Sequence, residues 1–439
     1  MSALVLLSAP AANAYWELQP QLHAGITYED NPHYVSDDDK AAAEARDPGI
    51  TDDLLGTYVD ARITGLYQTP GNKFSLTPGI RKTDYLKGDD LNTDNWYVNL
   101  SADHTDSRGA VGLNASYRED SLRNSAFENP IPDNPDSPPP TNGGSGRFST
   151  DTQQVWELKP NLTYILSPRN LASLSATVAY TTYDQQLQSI VSGGGYFDYR
   201  YSSAELAVQH SLNAKNAFVL SLNGGTFTSE GTGGVLQNST DSFGINAGYE
   251  HTFTGTLKGS ATAGVSRSSG NFSGVPFGFD PLTGSPCSLA STCSIRNEDR
   301  NFVGDASLTK RSELTSLNFS VGRSIAPTSN GTEVIQDQFR LYVDRTLTGK
   351  LSGSIGTIYS KESSLFNAQT DIGSIIQRRQ DRTYFTIGTS LSWKLTPTLS
   401  ASGSYTYISN ENSEIGGSNH QTNNRLDLGV VFQPVGLRP

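Results

Sequence analysis

Residues 382–410 set the pattern that recurs along the chain. Phe385, Ile387, Leu391, Trp393 and Leu395 share one parity, while Arg382, Tyr384, Thr386, Gly388, Ser390, Ser392 and Lys394 share the other. After Thr396-Pro397-Thr398 the alternation resumes, with Leu399, Ala401, Gly403, Tyr405 and Tyr407 against Ser400, Ser402, Ser404 and Thr406. Neighbouring side chains on a strand point to opposite faces, so this is a hairpin with one apolar face and one small, polar face. The unit returns in Leu55, Val59, Ala61, Ile63 and Tyr67, in Trp96, Val98, Leu100 and Ala102, in Phe243, Ile245, Ala247 and Tyr249, and in most of the chain between. The count predicts about eighteen strands.

The connections alternate in length. Short turns follow Thr69, Thr105, Ser167, Asn213, Thr254, Lys310, Thr348 and Thr396, and longer loops separate them, the largest at 29–53, 119–151 and 268–297. A sandwich or propeller does not enforce that asymmetry, whereas bacterial outer-membrane barrels have short periplasmic turns and long extracellular loops. The expected fold is all-β: a single closed antiparallel transmembrane β-barrel of residues 15–439. Closure is what a bilayer demands of a sheet, because an open edge leaves backbone groups unpaired in hydrocarbon.

Charge segregates as a membrane requires. The polar parity carries Asp60, Arg62, Arg81, Asp103, Arg118, Glu157, Lys159, Glu205, Glu250, Lys258, Asp305, Arg340, Asp344, Arg382, Lys394, Arg425 and Asp427. These are the candidate lumen-lining groups, with Tyr97, Tyr199, Tyr201, Tyr342 and Tyr384. The apolar parity carries almost none, and a lipid-facing charge at mid-bilayer would cost about 2–4 kcal/mol. Tyrosines on the polar parity have two readings: a track on which sugar rings stack, or packing and girdle residues that keep one end wet.

Composition narrows the class further. Only 35% of residues are hydrophobic, with 42 Gly and one Met, and mean hydropathy is −0.43, so an ordinary aliphatic core is out of reach. There are nevertheless 20 Tyr and 17 Phe in period-two order, which argues against disorder. Net charge is −12, so nucleic acid is not an expected partner. Cys287 and Cys293 read either as a small disulfide-closed loop in an oxidising compartment or as two free thiols. Residues 1–14, MSALVLLSAPAANA, read as a signal peptide ending in Ala12-Asn13-Ala14, without the usual basic residue at its front. Asp37-Asp38-Asp39 lacks the spacing of a calcium loop and reads as a solvated acidic segment. The six histidines are scattered, and G-x-S-x-G and H-E-x-x-H are both missing, so no enzyme, cofactor or metal site is expected.

The last strand, Arg425-Leu-Asp-Leu-Gly-Val-Val-Phe432, resembles the terminal assembly signal of outer-membrane barrels, although the chain continues through Gln433 to Pro439. Residues 91–166, with LNTDNWYVNLSADHTDSRGAVGLNASYREDSL and VWELKPNLTYILSPRN, are similar to a family of proteobacterial β-barrel porins associated with exopolysaccharide and exosortase-type systems. Those motifs are turn and lumen residues with no assigned chemistry. Pattern and resemblance together imply a porin-like channel in the outer membrane of a Gram-negative bacterium, transporting small polar solutes or oligosaccharides by diffusion. Its expected partners are outer-membrane lipid, lipopolysaccharide, the barrel-assembly machinery and the solute. The alternative is a surface interaction or adhesion barrel acting through its long loops.

Overall fold

In a computed structural model the protein is described over residues 14–36, 40–46, 50, 52–87, 91–121, 152–184, 197–230, 237–273, 278–279, 286–287, 294–328, 332–365, 381–414 and 417–436. The strands are β1 (Tyr15–Glu29), β2 (Leu54–Gln68), β3 (Asn72–Tyr85), β4 (Thr93–Thr105), β5 (Gly109–Ser121), β6 (Thr152–Ser167), β7 (Asn170–Tyr183), β8 (Asp198–Asn213), β9 (Asn216–Glu230) and β10 (Gln237–Thr254). They continue as β11 (Leu257–Ser273), β12 (Gly278–Phe279), β13 (Pro286–Cys287), β14 (Ser294–Arg311), β15 (Thr315–Pro327), β16 (Glu333–Thr346), β17 (Leu351–Ser364), β18 (Asp381–Lys394), β19 (Leu399–Glu414) and β20 (Gly417–Phe432). All except the small β12–β13 pair belong to one 18-stranded sheet. Each strand pairs antiparallel with the next, β11 with β14, and β20 pairs back onto β1 from Leu22↔Phe432 to Glu29↔Arg425. The sheet is a closed barrel.

Strand number and stagger fix the size of such a barrel. Carried from pair to pair around the wall, the register advances by roughly 22 residues before returning to β1. Eighteen strands with that stagger tilt by about 40° and give a circular wall of roughly 17 Å radius. Side chains alone do not fill such a cylinder.

The apolar parity faces outward. Trp96 (51% exposed), Trp156 (55%), Phe243 (60%) and Trp393 (55%) project from the wall with nothing packed over most of their surface. Large aromatics held this way around a closed sheet need an apolar surrounding medium. The outer face turns charged near the long connections, where Arg323 pairs with Asp337 at 2.5 Å and Arg267 with Glu298 at 2.6 Å. The strands therefore rise past the apolar band.

The eight short turns share one device: a Thr, Ser, Asn or Asp side chain accepts a backbone N–H two or three residues on, a local closure that competes with extended structure. Thr69 takes Asn72 N–H at 3.0 Å, Asp106 takes Gly109 at 2.8 Å, Ser167 takes Asn170 at 3.1 Å and Asn213 takes Lys215 at 2.9 Å. Thr254, Ser312, Thr348 and Thr396 do the same for Leu257, Thr315, Leu351 and Thr398. His104, His210 and His251 stand directly opposite turn asparagines of the preceding strand. Their Nδ1 atoms bond Asn72 (2.8 Å), Asn170 (2.7 Å) and Asn216 (2.6 Å), which ties neighbouring hairpins together along this rim.

Two features differ from the sequence reading. Segment 29–53 contains a helix, α1 (Lys40–Arg46), where Lys-Ala-Ala-Ala-Glu-Ala-Arg has high helix propensity. β11 and β14 stay paired to Ser273↔Ser294, so the loop between them is shorter than 268–297. There the wall has left the apolar band, and the outward positions lose the apolar signal. Pro20, Pro78 and Pro160 lie inside strands, a place proline is usually excluded from. The ladder skips beside two of them, between Arg62↔Gly79 and Gly65↔Leu76 and between Leu158↔Val178 and Asn161↔Ser175. A hydroxyl bond between Thr64 and Thr77 at 3.0 Å spans the first gap. Residues 1–13, Asp37-Asp38-Asp39 and the side chains of Cys287 and Cys293 lie outside the described residues, and with them the signal-peptide, acidic-segment and disulfide expectations.

Candidate functional site: the barrel lumen

Alternation puts residues i and i+2 on the same face, and the inner wall uses this to pair charges along single strands. Lys159 reaches Glu157 at 2.9 Å, Arg425 reaches Asp427 at 3.1 Å and Arg118 reaches Asp120 at 3.4 Å. Arg62 donates twice to Gln21 Oε1 (3.1 and 2.9 Å), and Asp60 accepts from the Tyr97 hydroxyl at 3.3 Å. Arg340, Tyr342 and Asp344 follow one another on the inner parity of β16, half-buried. Positive and negative groups are interleaved, so the lumen has no single sign.

Exposure divides the lumen along its length. Toward the short turns, Asp103, Glu205, Glu250, Lys258, Asp305 and Lys394 are exposed to the interior space. A polar recess of about 670 Å³, lined by Gln209, Glu250, Lys258, Ser260 and Ser307 among others, opens there. Toward the long connections the inner side chains are buried. Arg382 is 5% exposed, with its Nε donating to Asn410 Oδ1 at 2.7 Å, and Asn410 donates on to Gln421 at 3.2 Å. Glu29, 2% exposed, accepts from the Tyr85 hydroxyl at 2.6 Å and from Asn423 Nδ2 at 3.2 Å, with Arg425 Nε at 4.0 Å. Three apolar clusters complete this end: Tyr183, Tyr199 and Phe227 with Tyr201 against them; Leu54, Tyr85 and Leu91; and Ile358, Tyr384 and Ile408.

The tyrosines acquire a physical role from their neighbours. Gly25 and Gly429 face each other across the β1–β20 seam, and the Tyr58 hydroxyl fills the space a side chain at Gly429 would take. The same hydroxyl bonds His23 Nε2 at 2.9 Å, and His23 also contacts Ser402 Oγ at 3.0 Å. The Tyr97 ring covers Gly79, and the Tyr85 ring lies against Gly56. Large rings over cross-strand glycines recover apolar contact that glycine cannot make. Tyr199 and Tyr384 are buried, and Tyr97, Tyr201 and Tyr342 are partly open.

The seam has further ties. Asp30 accepts the Asn424 N–H at 2.7 Å and its Nδ2 at 2.5 Å, and Asn31 Nδ2 donates to the Thr422 carbonyl at 2.7 Å. These bonds carry closure past the last β1–β20 pair.

No protein-family model matches the chain, and no curated protein matches it. Among solved structures the chain is similar to outer-membrane β-barrels. The ferric citrate transporter FecA in its unliganded form is 10% identical at a TM-score of 0.43; the alignment covers 90% of this chain, which spans 60% of FecA. Pseudomonas aeruginosa OccK2 (OpdF) is 9% identical at a TM-score of 0.38, over 96% of this chain and 98% of that one. The outer membrane protein OpdK of Pseudomonas aeruginosa is 10% identical at a TM-score of 0.38, over 95% of this chain and 99% of that one. The barrel described above rests on this chain's own strand pairing.

Proposed function

We propose that the protein is an outer-membrane channel through which small polar solutes, oligosaccharides among them, diffuse. The short-turn rim then faces the periplasm and the long connections face outward. One observation carries the reading: a wall of roughly 17 Å radius encloses polar, exposed side chains toward its short turns, a space too wide for those side chains to fill. The apolar exterior supports the membrane placement, since its exposed aromatics are stable only in contact with lipid. Interleaved charge supports passage of neutral and weakly charged solutes over strong ion selection. An association with an exopolysaccharide system belongs to the same proposal and rests on the sequence resemblance alone.

Liposome swelling tests the channel. Proteoliposomes should take up a series of neutral sugars at rates that fall with sugar size. Swelling no faster than protein-free liposomes for the smallest sugar would overturn the reading.

A further inference from the structure

The recess at the short-turn end of the lumen has a floor of short side chains and opposite charges at its edges. One row across the inner wall runs Ser211, Ala217, Glu250, Ser260 and Ser307, on β8, β9, β10, β11 and β14. Four of these five side chains are small, and Ala217 is buried, which leaves the wall dished there. The hollow of about 670 Å³ has the size of a small-molecule site, roughly 300–1,000 Å³. Two charged groups bound it without meeting. Glu250 is turned toward β8, where its Oε2 accepts from Gln209 Nε2 at 2.7 Å. Lys258 stands diagonally from Glu250, opposite Thr252, and such neighbours lie about 7–8 Å apart. Both are exposed to the interior space, and Lys258 makes no ion pair among the described residues. Beside them the Ser260 hydroxyl bonds that of Ser307 at 2.7 Å. Lys215 and Arg311 also line the recess, near the turns, so positive charge gathers on that side of Glu250.

We propose that this recess is a solute-binding site at the short-turn mouth of the channel, and that it takes a small zwitterion of the amino-acid type. The solute carboxylate lies toward Lys258 and its ammonium group toward Glu250. The proposal rests on the channel reading and names one class among the small polar solutes that pass. A carboxylate and an ammonium ion held apart over a hydroxyl floor complement a molecule that carries the same two charges in reverse. A neutral sugar offers neither charge. A simple anion gains Lys258 but faces the Glu250 carboxylate, and a simple cation gains Glu250 but faces the lysines. Charge-assisted hydrogen bonds at both ends single out the zwitterion.

Three probes separate the two contacts: L-glutamine, glutaramate, which lacks the ammonium group, and L-glutaminamide, in which a neutral amide replaces the carboxylate. Ligand-detected NMR titration of the folded barrel in detergent reads each affinity without requiring conduction. L-Glutamine should bind roughly tenfold more tightly than either analogue, since each analogue forgoes one charge-assisted contact. Lys258→Met should abolish the preference over glutaminamide and keep that over glutaramate, and Glu250→Gln should do the reverse. Lys394→Met, on the same rim but outside the recess, should alter neither. Equal affinity for the three probes would overturn the site and leave the channel intact if sugars still enter proteoliposomes. Absence of binding, from protein that shows the heat-modifiable gel shift of a folded barrel, would overturn the site as well. The expected preference in a barrel that passes no sugar would support the site and overturn the channel.

Discussion

Ile245 offers a sharp test of which medium surrounds the wall. It lies on the outer face of β10 between Phe243 and Tyr249, and it is 49% exposed in the isolated chain. In water, replacing a half-exposed residue by arginine changes stability by about 0.5 kcal/mol or less. In a bilayer the same change places a guanidinium among acyl chains, at a cost of about 2–4 kcal/mol at mid-depth. Phe243 and Tyr249 are six residues apart, about 20 Å along the strand, so Ile245 falls inside the span they bracket. Ser175 on β7 is the control, because it shares the inner parity and is exposed to the lumen. Ser175→Arg should cost less than about 0.5 kcal/mol. The assay is reversible urea or guanidinium unfolding of protein folded into lipid vesicles. The reasoning predicts an Ile245→Arg penalty of about 2 kcal/mol or more over Ser175→Arg. Equal penalties for the two variants would refute it.

Other expectations follow from the seam, the turns and the glycines. Asp30→Ala removes the acceptor of two Asn424 donors and should destabilise the barrel by about 1–3 kcal/mol, with faster amide exchange at Asn424; unchanged exchange would remove Asp30 from the closure. Gly429→Ala puts a methyl against the Tyr58 hydroxyl and the Ala24 carbonyl and should cost about 1–3 kcal/mol, whereas a neutral effect would mean the seam is loosely packed. Asp106 lies in a short turn, where backbone N–H groups of Arg108 and Gly109 hold its carboxyl below the ordinary carboxylate range. A depressed pKa contributes stability that is full above the unfolded-state value and is lost as pH falls through the folded one. The stability gap between wild type and Asp106→Asn should therefore be present at pH 7 and close by about pH 2. A gap unchanged across that range would contradict the assignment.

The barrel was legible in the sequence because its exterior is written with period two. Wherever Phe, Trp, Leu or Ile marks the outer face, as along β10 and β18, strand and turn can be read directly. The eight short turns were equally plain, since each carries a Thr, Ser, Asn or Asp suited to capping its own backbone. Where the wall rises beyond the apolar band, as in the upper parts of β11 and β14, both faces are polar and the strands read as loop. Helix α1 was overlooked because seven residues in a long connection leave no periodicity to find. The apolar clusters on the inner wall near the long connections were illegible for another reason. Ile358, Phe227 and Ile408 each appear as one apolar residue on a polar parity, and only the register of neighbouring strands gathers them with Tyr183, Tyr199 and Tyr384. Nor could spacing reveal that Tyr58 meets Gly429, residues joined only through the β1–β20 seam.

A single-cysteine scan from Tyr384 to Trp393, in protein whose two native cysteines are replaced by serine, tests the central claim most directly. Reconstituted in vesicles, the even positions Ser390 and Ser392, which are open to the lumen where Thr386 and Gly388 are buried, should react with a charged, water-soluble maleimide. Probes at the odd positions Phe385, Ile387, Leu391 and Trp393 should instead be quenched by brominated lipid. A labelling pattern with period two, inverted between the two reagents, is the result predicted for a membrane barrel with a wet lumen. Equal labelling of both parities by the water-soluble reagent, or quenching of neither by lipid, would contradict it.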